Sequence, residues 1–148
     1  MIKPANILFV EDNSMDVELT LDAFKEAKLG NTVHVAKNGQ DALDYMFGRN
    51  KYADRKTYPL PDIVLLDLKM PGIDGFEVLS QIKKSAVLKR IPVIILTSSR
   101  EEGDRALSYD IGANSYLVKP ITFDGFLDVV KQIDQYWLLL NVGPPKED

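Results

Sequence analysis

Five short apolar runs recur along the chain, separated by longer segments in which apolar residues return every three or four positions. The runs "NILFV" (Asn6 to Val10), "TVHVA" (Thr32 to Ala36), "DIVLL" (Asp62 to Leu66), "PVIIL" (Pro92 to Leu96) and "SYLV" (Ser115 to Val118) are rich in β-branched residues and read as strands. Three of them show almost no polar alternation, the pattern of strands covered on both faces in a parallel sheet. Ser14 to Lys28 places Val17, Leu21 and Phe24 on one stripe and Glu18, Asp22, Lys25 and Glu26 elsewhere, which predicts a helix with one buried side. Four more helices are predicted over Asp41 to Phe47, Phe76 to Lys84, Asp104 to Tyr109 and Asp124 to Leu140. The order is (βα)5. Short connections and right-handed crossovers make this an α/β protein with a doubly wound, five-stranded parallel sheet, flavodoxin-like, in strand order 2-1-3-4-5. The longest connection runs from Gly48 to Pro61. The expected organisation is one domain over 1–141 and a mobile tail over 142–148.

Composition narrows the function. A chain of 148 residues suits one domain with a real core. With 22 acidic and 18 basic residues the net charge is −4, which argues against nucleic acid or an anionic membrane as the main partner, whereas acids gathered in one place would fit a cation. The absence of cysteine excludes disulfides, a thiol nucleophile and a zinc-thiolate site. The start reaches charge too early for a secretory signal, and no apolar run has the length to span a bilayer, so a cytoplasmic protein is expected.

In a doubly wound sheet ligands bind outside the carboxyl ends of the strands. There the sequence places Glu11 and Asp12 after the first strand, Asp67 after the third, Thr97 and Ser98 after the fourth, and Lys119 followed by Pro120 after the fifth. An acid at the end of an apolar strand is costly unless something compensates its charge. Three carboxylates facing one another would raise each other's pKa unless a cation intervened, and all-oxygen ligands suit Mg2+. There is no Gly-x-x-x-x-Gly-Lys cradle for a nucleotide, so Asp67 itself is the candidate acceptor of a phosphoryl group, as an acyl phosphate, with Lys119 supplying charge and Thr97 a hydroxyl. Plainer roles compete. Asp12, Asn13 or Ser14 suits a helix cap, as do Thr97 and Ser98; Asp74 with Gly75 reads as a turn and cap; Lys119 is open to a solvated loop role and Tyr116 to plain packing. His34, the only histidine, lies in a strand with no partner motif and reads as structural.

The stretches "FVEDN", "LLDLKMPGIDG", "ILTSS" and "YLVKP", in this order on strands one, three, four and five, closely resemble the receiver domain of two-component response regulators. The resemblance covers nearly the whole chain. It implies Asp67 as the phosphorylation site, Glu11 and Asp12 as metal-binding acids aided by the Lys69 backbone carbonyl, Thr97 as switch hydroxyl, Tyr116 as switch aromatic, Lys119 as the phosphate-pairing lysine, and a cis Lys119–Pro120 bond. "EDNSMDVELT", the long connection before the third strand, "SYDIGANSYLVKP" and "QYWLLL" further resemble the single-domain regulators that partner bacterial phytochrome-type histidine kinases. Glu11 stands where many receivers have Asp, and Lys69 where that subclass often has Asn. The implied partners are a phytochrome-like sensor histidine kinase and an unknown downstream protein reached by contact, since no DNA-binding or catalytic domain is expected after the receiver.

Two other functions compete with a signalling receiver. An aspartyl-phosphate hydrolase also uses an Asp after a strand, but carries a second Asp two residues on, where this chain has Lys69. A degenerate receiver that only binds partners would not need all five site residues. In the last helix, Phe126, Val130, Ile133 and Trp137 form one stripe that covers the sheet. Three successive leucines, Leu138, Leu139 and Leu140, point in three directions, and at least one needs another surface. A homodimer through the Trp137 to Leu140 region is therefore expected, in line with the subclass, whose members dimerise through the face made by the fourth and fifth helices and the fifth strand. The alternative is that the leucines fold back over the open end of the sheet.

Overall fold

Asn13, Asn38 and Asp74 each turn a side-chain oxygen onto the backbone N–H three residues ahead, Asp16, Asp41 and Glu77 respectively, and so start three helices. The structure, a computed structural model, describes residues 3–140. Its elements are β1 (Asn6–Val10), α1 (Ser14–Ala27), β2 (Thr32–Ala36), α2 (Gly39–Phe47), β3 (Ile63–Leu66), α3 (Gly75–Lys84), β4 (Val93–Thr97), α4 (Glu102–Ile111), β5 (Ser115–Val118) and α5 (Phe123–Leu140), with short 3-10 turns at Asn50–Tyr52 and Leu88–Arg90. The five strands form one parallel sheet in the order β2-β1-β3-β4-β5, as the hydrophobic pattern predicts. The tail expected over 142–148 lies outside the described residues.

Boundaries moved where a cap or a turn decided them. Asn38 starts α2 ahead of the expected Asp41. Lys28, expected to be helical, adopts the left-handed conformation (φ 55°) and closes α1. Pro92 lacks the N–H that a strand interior needs, so β4 begins at Val93 and takes in Thr97. Helix α4 extends two residues beyond the expected span at each end and stops at Gly112, with φ 131°.

Residues of the central strands alternate between two apolar layers. Leu8, Val10, Val64, Leu66, Val93 and Ile95 face α2 and α3, and Ile7, Phe9, Ile63, Leu65, Ile94 and Leu96 face α1 and α5. Coverage on both faces removes the polar alternation from these strands. In the long connection, Arg55 donates to the carbonyls of Tyr45, Met46 and Tyr58, satisfying the end of α2. His34 sits among the rings of Tyr45, Tyr52 and Tyr58 and lies 3.3 Å from the Tyr52 hydroxyl, which donates to Asp41 at 2.7 Å. Its role is structural, and burial holds its pKa below the usual histidine value.

The sheet register brings the site together. Val10 pairs with Ala36 and with Leu66, so the residues that follow, Glu11 and Asp67, emerge side by side at one edge. The ladder continues past the strands: Glu11 N–H donates to Ala36 O at 3.0 Å, Asp67 N–H to Val10 O at 3.1 Å and Lys119 N–H to Thr97 O at 2.7 Å. The backbone under each of these side chains is therefore fixed.

Gly75, the first residue of α3, sits directly against the backbone that carries Asp67. Its N–H donates to Leu68 O at 3.0 Å, and a Cβ there would overlap the Asp67 carbonyl oxygen and lie 2.6 Å from Leu68 Cα. Gly75→Ala is expected to destabilise the fold by roughly 1–3 kcal/mol through overpacking, read by denaturant unfolding. Unchanged stability would show that the loop after β3 yields freely.

Candidate functional site

Beyond the carboxyl ends of β1, β3 and β5 lies an open cleft of about 620 Å³ lined by Glu11, Asp12, Asp16, Asp67, Lys69 and Lys119, among others. Glu11 is fully buried and Asp67 nearly so, while Asp12 is exposed at the mouth. One oxygen from each of the three lies within 4.8 Å of the other two, so the three acids expected to bind metal do converge. Asn13, not Asp12, caps α1, which leaves the Asp12 carboxylate free of that duty. Likewise neither Thr97 nor Ser98 caps α4, whose first turn follows Glu101. Asp74 is the cap of α3, as the turn and cap reading of Asp74 with Gly75 expects.

Lys119 supplies the countercharge. Its Nζ lies 2.6 Å from Glu11 Oε1, 2.8 Å from Asp16 Oδ2 and 3.4 Å from Asp67 Oδ2, with its side chain almost enclosed. Burial works to lower its pKa, but the hydrogen bonds to Asp16 and Glu11 and the charge of Asp67 outweigh it and hold the ammonium above the usual lysine value. Burial pushes the Glu11 carboxyl up to about 7 against the pull of Lys119, and the Asp67 charge adds to that rise. One ammonium does not balance this many acids, so the site attracts a further cation. Asp67 Oδ1 is buried without a hydrogen-bond partner, an orphaned acceptor aimed at the same need. Glu11 Oε1, though ion-paired with Lys119, also accepts no hydrogen bond, and an all-oxygen donor set with open acceptors fits a hard divalent ion.

Thr97 is fully buried as the last residue of β4 and does not line the cleft; Ser98 does. The Thr97 hydroxyl accepts the Ser99 N–H at 3.4 Å, and the Tyr116 hydroxyl, reaching from β5, donates to the Ser99 carbonyl at 3.0 Å. The two expected switch residues therefore hold opposite ends of one residue. Ser99 Oγ in turn donates to Asp104 Oδ2 at 2.6 Å, and Asp104 accepts the Lys69 ammonium at 3.1 Å. The Lys69 side chain, 57% exposed, leans toward α4.

The Lys119–Pro120 bond departs from expectation: it is trans, and no cis bond occurs among the described residues. The trans preference of a bond before proline is small, roughly 0.5–1 kcal/mol, so tertiary contacts choose. Here Lys119 reaches its three acids with the trans bond, and Pro120 packs closely on Gly125 in α5. Asp16 was not expected at the site. It lies in the first turn of α1, and an acid at a helix start reads first as a partner for the helix dipole. Ser99 and Asp104 were missed because their bond joins a loop to the first turn of α4 and depends on the path of that loop.

Residues 7–131 match the family of the response regulator receiver domain. The chain is 40% identical over 141 residues to the probable methanogenesis regulatory protein FilR2 of Methanothrix harundinacea, covering 95% of this chain and 88% of that one. It is 35% identical over 135 residues to response regulator Rcp1 of Synechocystis sp., covering 91% and 90%. Among solved structures, the phosphorylated cyanobacterial phytochrome response regulator RcpA superposes with a TM-score of 0.85 at 34% identity, over 97% of this chain and 100% of that one. The Mn2+-bound form of Rcp1 gives 0.81 at 34% identity over the same shares. A matching sheet order, four motifs at the strand ends and relatives aligned over nearly their whole length lead to one conclusion: this chain belongs to the response regulator receiver family.

Proposed function

We propose that this receiver accepts a phosphoryl group from a sensor histidine kinase onto Asp67 and passes the signal on by contact with another protein. The observation that carries the reading is the pairing of Asp67 with Lys119 at 3.4 Å beside two further carboxylates, with Asp67 Oδ1 left unpartnered. Similarity to regulators named for phytochromes points to a phytochrome-type kinase as the phosphodonor, working in the cytoplasm. No helix of the described residues is long and apolar enough to cross a membrane.

Glu11, Asp12 and Asp67 would hold Mg2+, with the Lys69 backbone carbonyl as a further ligand; the Mn2+-bound form of the similar Rcp1 supports a divalent ion here. The ion supplies charge neutralisation for phosphoryl oxygens. Asp67 provides the attacking oxygen, Lys119 pairs with the transferred group, and Glu11 and Asp16 hold Lys119. A phosphoryl group on Asp67 adds acceptor oxygens for the Thr97 O–H; as Thr97 moves to donate to them, the Ser99 N–H that its oxygen accepts moves with it, and Tyr116 follows because it holds the other end of Ser99. The output face is then that of α4 and β5. Lys69 supports a signalling role over a hydrolase: its ammonium is held above the usual lysine pKa, chiefly by its hydrogen bond to Asp104, and offers no acid/base group two residues after Asp67.

The same face carries the expected dimer. Trp137 is engaged within its own chain, its indole N–H donating to Lys3 O at 2.9 Å. Leu138, Leu139 and Leu140 are 42%, 73% and 47% exposed, which leaves apolar surface for a partner to cover. Covering two or three of them contributes on the order of 3–6 kcal/mol before association costs, enough to support a homodimer alongside other contacts.

Incubation with acetyl phosphate and Mg2+ is expected to label the parent and not Asp67→Asn; equal stoichiometry in both would remove Asp67 as the acceptor. Asp12→Ala is expected to keep the fold and weaken Mg2+ binding at least about tenfold, measured by calorimetry. Because the Glu11 carboxyl of the folded protein carries a proton below about 7, and the ion must displace it, Mg2+ affinity is expected to fall as pH drops through that value. The fall is about tenfold per pH unit, and Glu11→Gln should flatten it. In sedimentation the parent is expected to dimerise at high micromolar concentration and the Leu138→Glu, Leu140→Glu double variant to remain monomeric. A parent that is monomeric with and without phosphate removes the dimer.

A further inference from the structure

Lys119 is held by a residue that neither the metal cluster nor the phosphoacceptor accounts for. Asp16 Oδ2 lies 2.8 Å from its Nζ, closer than the 3.4 Å to Asp67, across 103 residues of chain. Asp16 lies outside the trio of acids that converge on a cation position. Nor is its carboxylate spent on its own helix, because Asn13 is the cap and Asp16 contributes only its N–H to that bond. Helix α1 is pinned by buried Thr20, Ala23 and Phe24, so its first turn is a fixed post rather than a loop.

An ammonium has three N–H donors. Here three carboxylates, Glu11, Asp16 and Asp67, stand around it, and its root is fixed by the Lys119 N–H bond to Thr97 O. During transfer from a small donor such as acetyl phosphate, an Asp67 oxygen forms a new bond to phosphorus as the acetyl oxygen–phosphorus bond breaks, and its electron pair leaves with acetate. No proton moves, and Lys119 keeps its charge. The phosphoryl oxygens then take over the donor that faced Asp67, while Asp16 keeps its hydrogen bond and Glu11 remains paired by charge at 2.6 Å. Of the two hydrogen bonds that the ammonium makes, the one to Asp16 is the one that transfer leaves in place.

We propose that Asp16 is a positioning residue for phosphoryl binding: from the first turn of α1 it holds the Lys119 ammonium where the phosphoryl oxygens on Asp67 arrive, without itself binding the metal. This rests on the reading of Asp67 as phosphoacceptor. Charge-assisted hydrogen bonds to an enclosed ammonium are the strong kind, and losing one releases a long, flexible side chain.

The test compares the parent with Asp16→Ala and Asp16→Glu in Mg2+ affinity, in affinity for beryllofluoride at saturating Mg2+, and in the rate of labelling by acetyl phosphate. Asp16→Ala is expected to bind beryllofluoride and become labelled about tenfold less well, with Mg2+ affinity within about threefold of the parent. Asp16→Glu, which keeps the charge, is expected to recover most of the loss. The Lys119 ammonium signal in 15N-edited NMR is expected to be visible in the parent and lost in Asp16→Ala by faster proton exchange. A merely structural role would lower thermal stability and leave beryllofluoride affinity unchanged. That result, a parallel fall in Mg2+ affinity, or no recovery in Asp16→Glu would each overturn the proposal. If Asp16→Ala does not fold by circular dichroism, Asp16→Asn, which removes the charge at constant shape, replaces it with the same expectations. A parent that takes no label at all would sink the acceptor reading; a labelled parent with an unaffected variant would sink only the role of Asp16.

Discussion

The Lys119 ammonium is the interaction on which the rest of the site depends. Glu11 and Asp67 are buried at the ends of apolar strands, where an uncompensated carboxylate would cost several kcal/mol or more. One cation, brought from the far end of the chain, faces both at once and takes Asp16 as well. Its charge is still too small for the acids around it. That excess of negative potential favours a divalent ion at the site, and it adds to the burial that chiefly raises the pKa of Glu11.

The fold delivers these groups by register rather than by contact between side chains. Because β1 lies between β2 and β3, its last residue pairs with both neighbours, and the next residue on each strand continues the ladder before the chain turns away. Glycine at position 75 then lets α3 begin hard against the Asp67 backbone. Two apolar layers clamp the strands from both sides, so the acids are carried on a rigid edge. Rigid carriers keep the acceptor, the ammonium and the metal-binding oxygens in fixed relation, which is what phosphoryl transfer asks of a protein.

The connection from β4 to α4 ties the cleft to the outer face of the molecule. Ser99 is its centre: its N–H meets Thr97, its carbonyl Tyr116, and its hydroxyl Asp104, which also holds Lys69. A change at Thr97 therefore reaches the β5 surface and the start of α4 through one residue. Asp104 ties the same loop to the segment following Asp67, so the two sides of the cleft are coupled through an exposed ion pair whose strength salt will reduce.

The sequence by itself determined the alternation of strands and helices, the parallel sheet and its order, and the placement of Glu11, Asp12, Asp67 and Lys119 at one edge. These are legible because hydrophobic period and strand ends are local properties of the chain. Family resemblance added the expectation of switch roles for Thr97 and Tyr116. Which residue caps α1 was undecidable locally, since Asp12, Asn13 and Ser14 all suit a cap; backbone geometry selected Asn13 and left Asp12 to the cleft. The trans Lys119–Pro120 bond, the Asp16 contact to Lys119 and the Ser99–Asp104 bond were decided only by tertiary structure. Each depends on how far one element lies from another, and no periodicity along the chain encodes that distance.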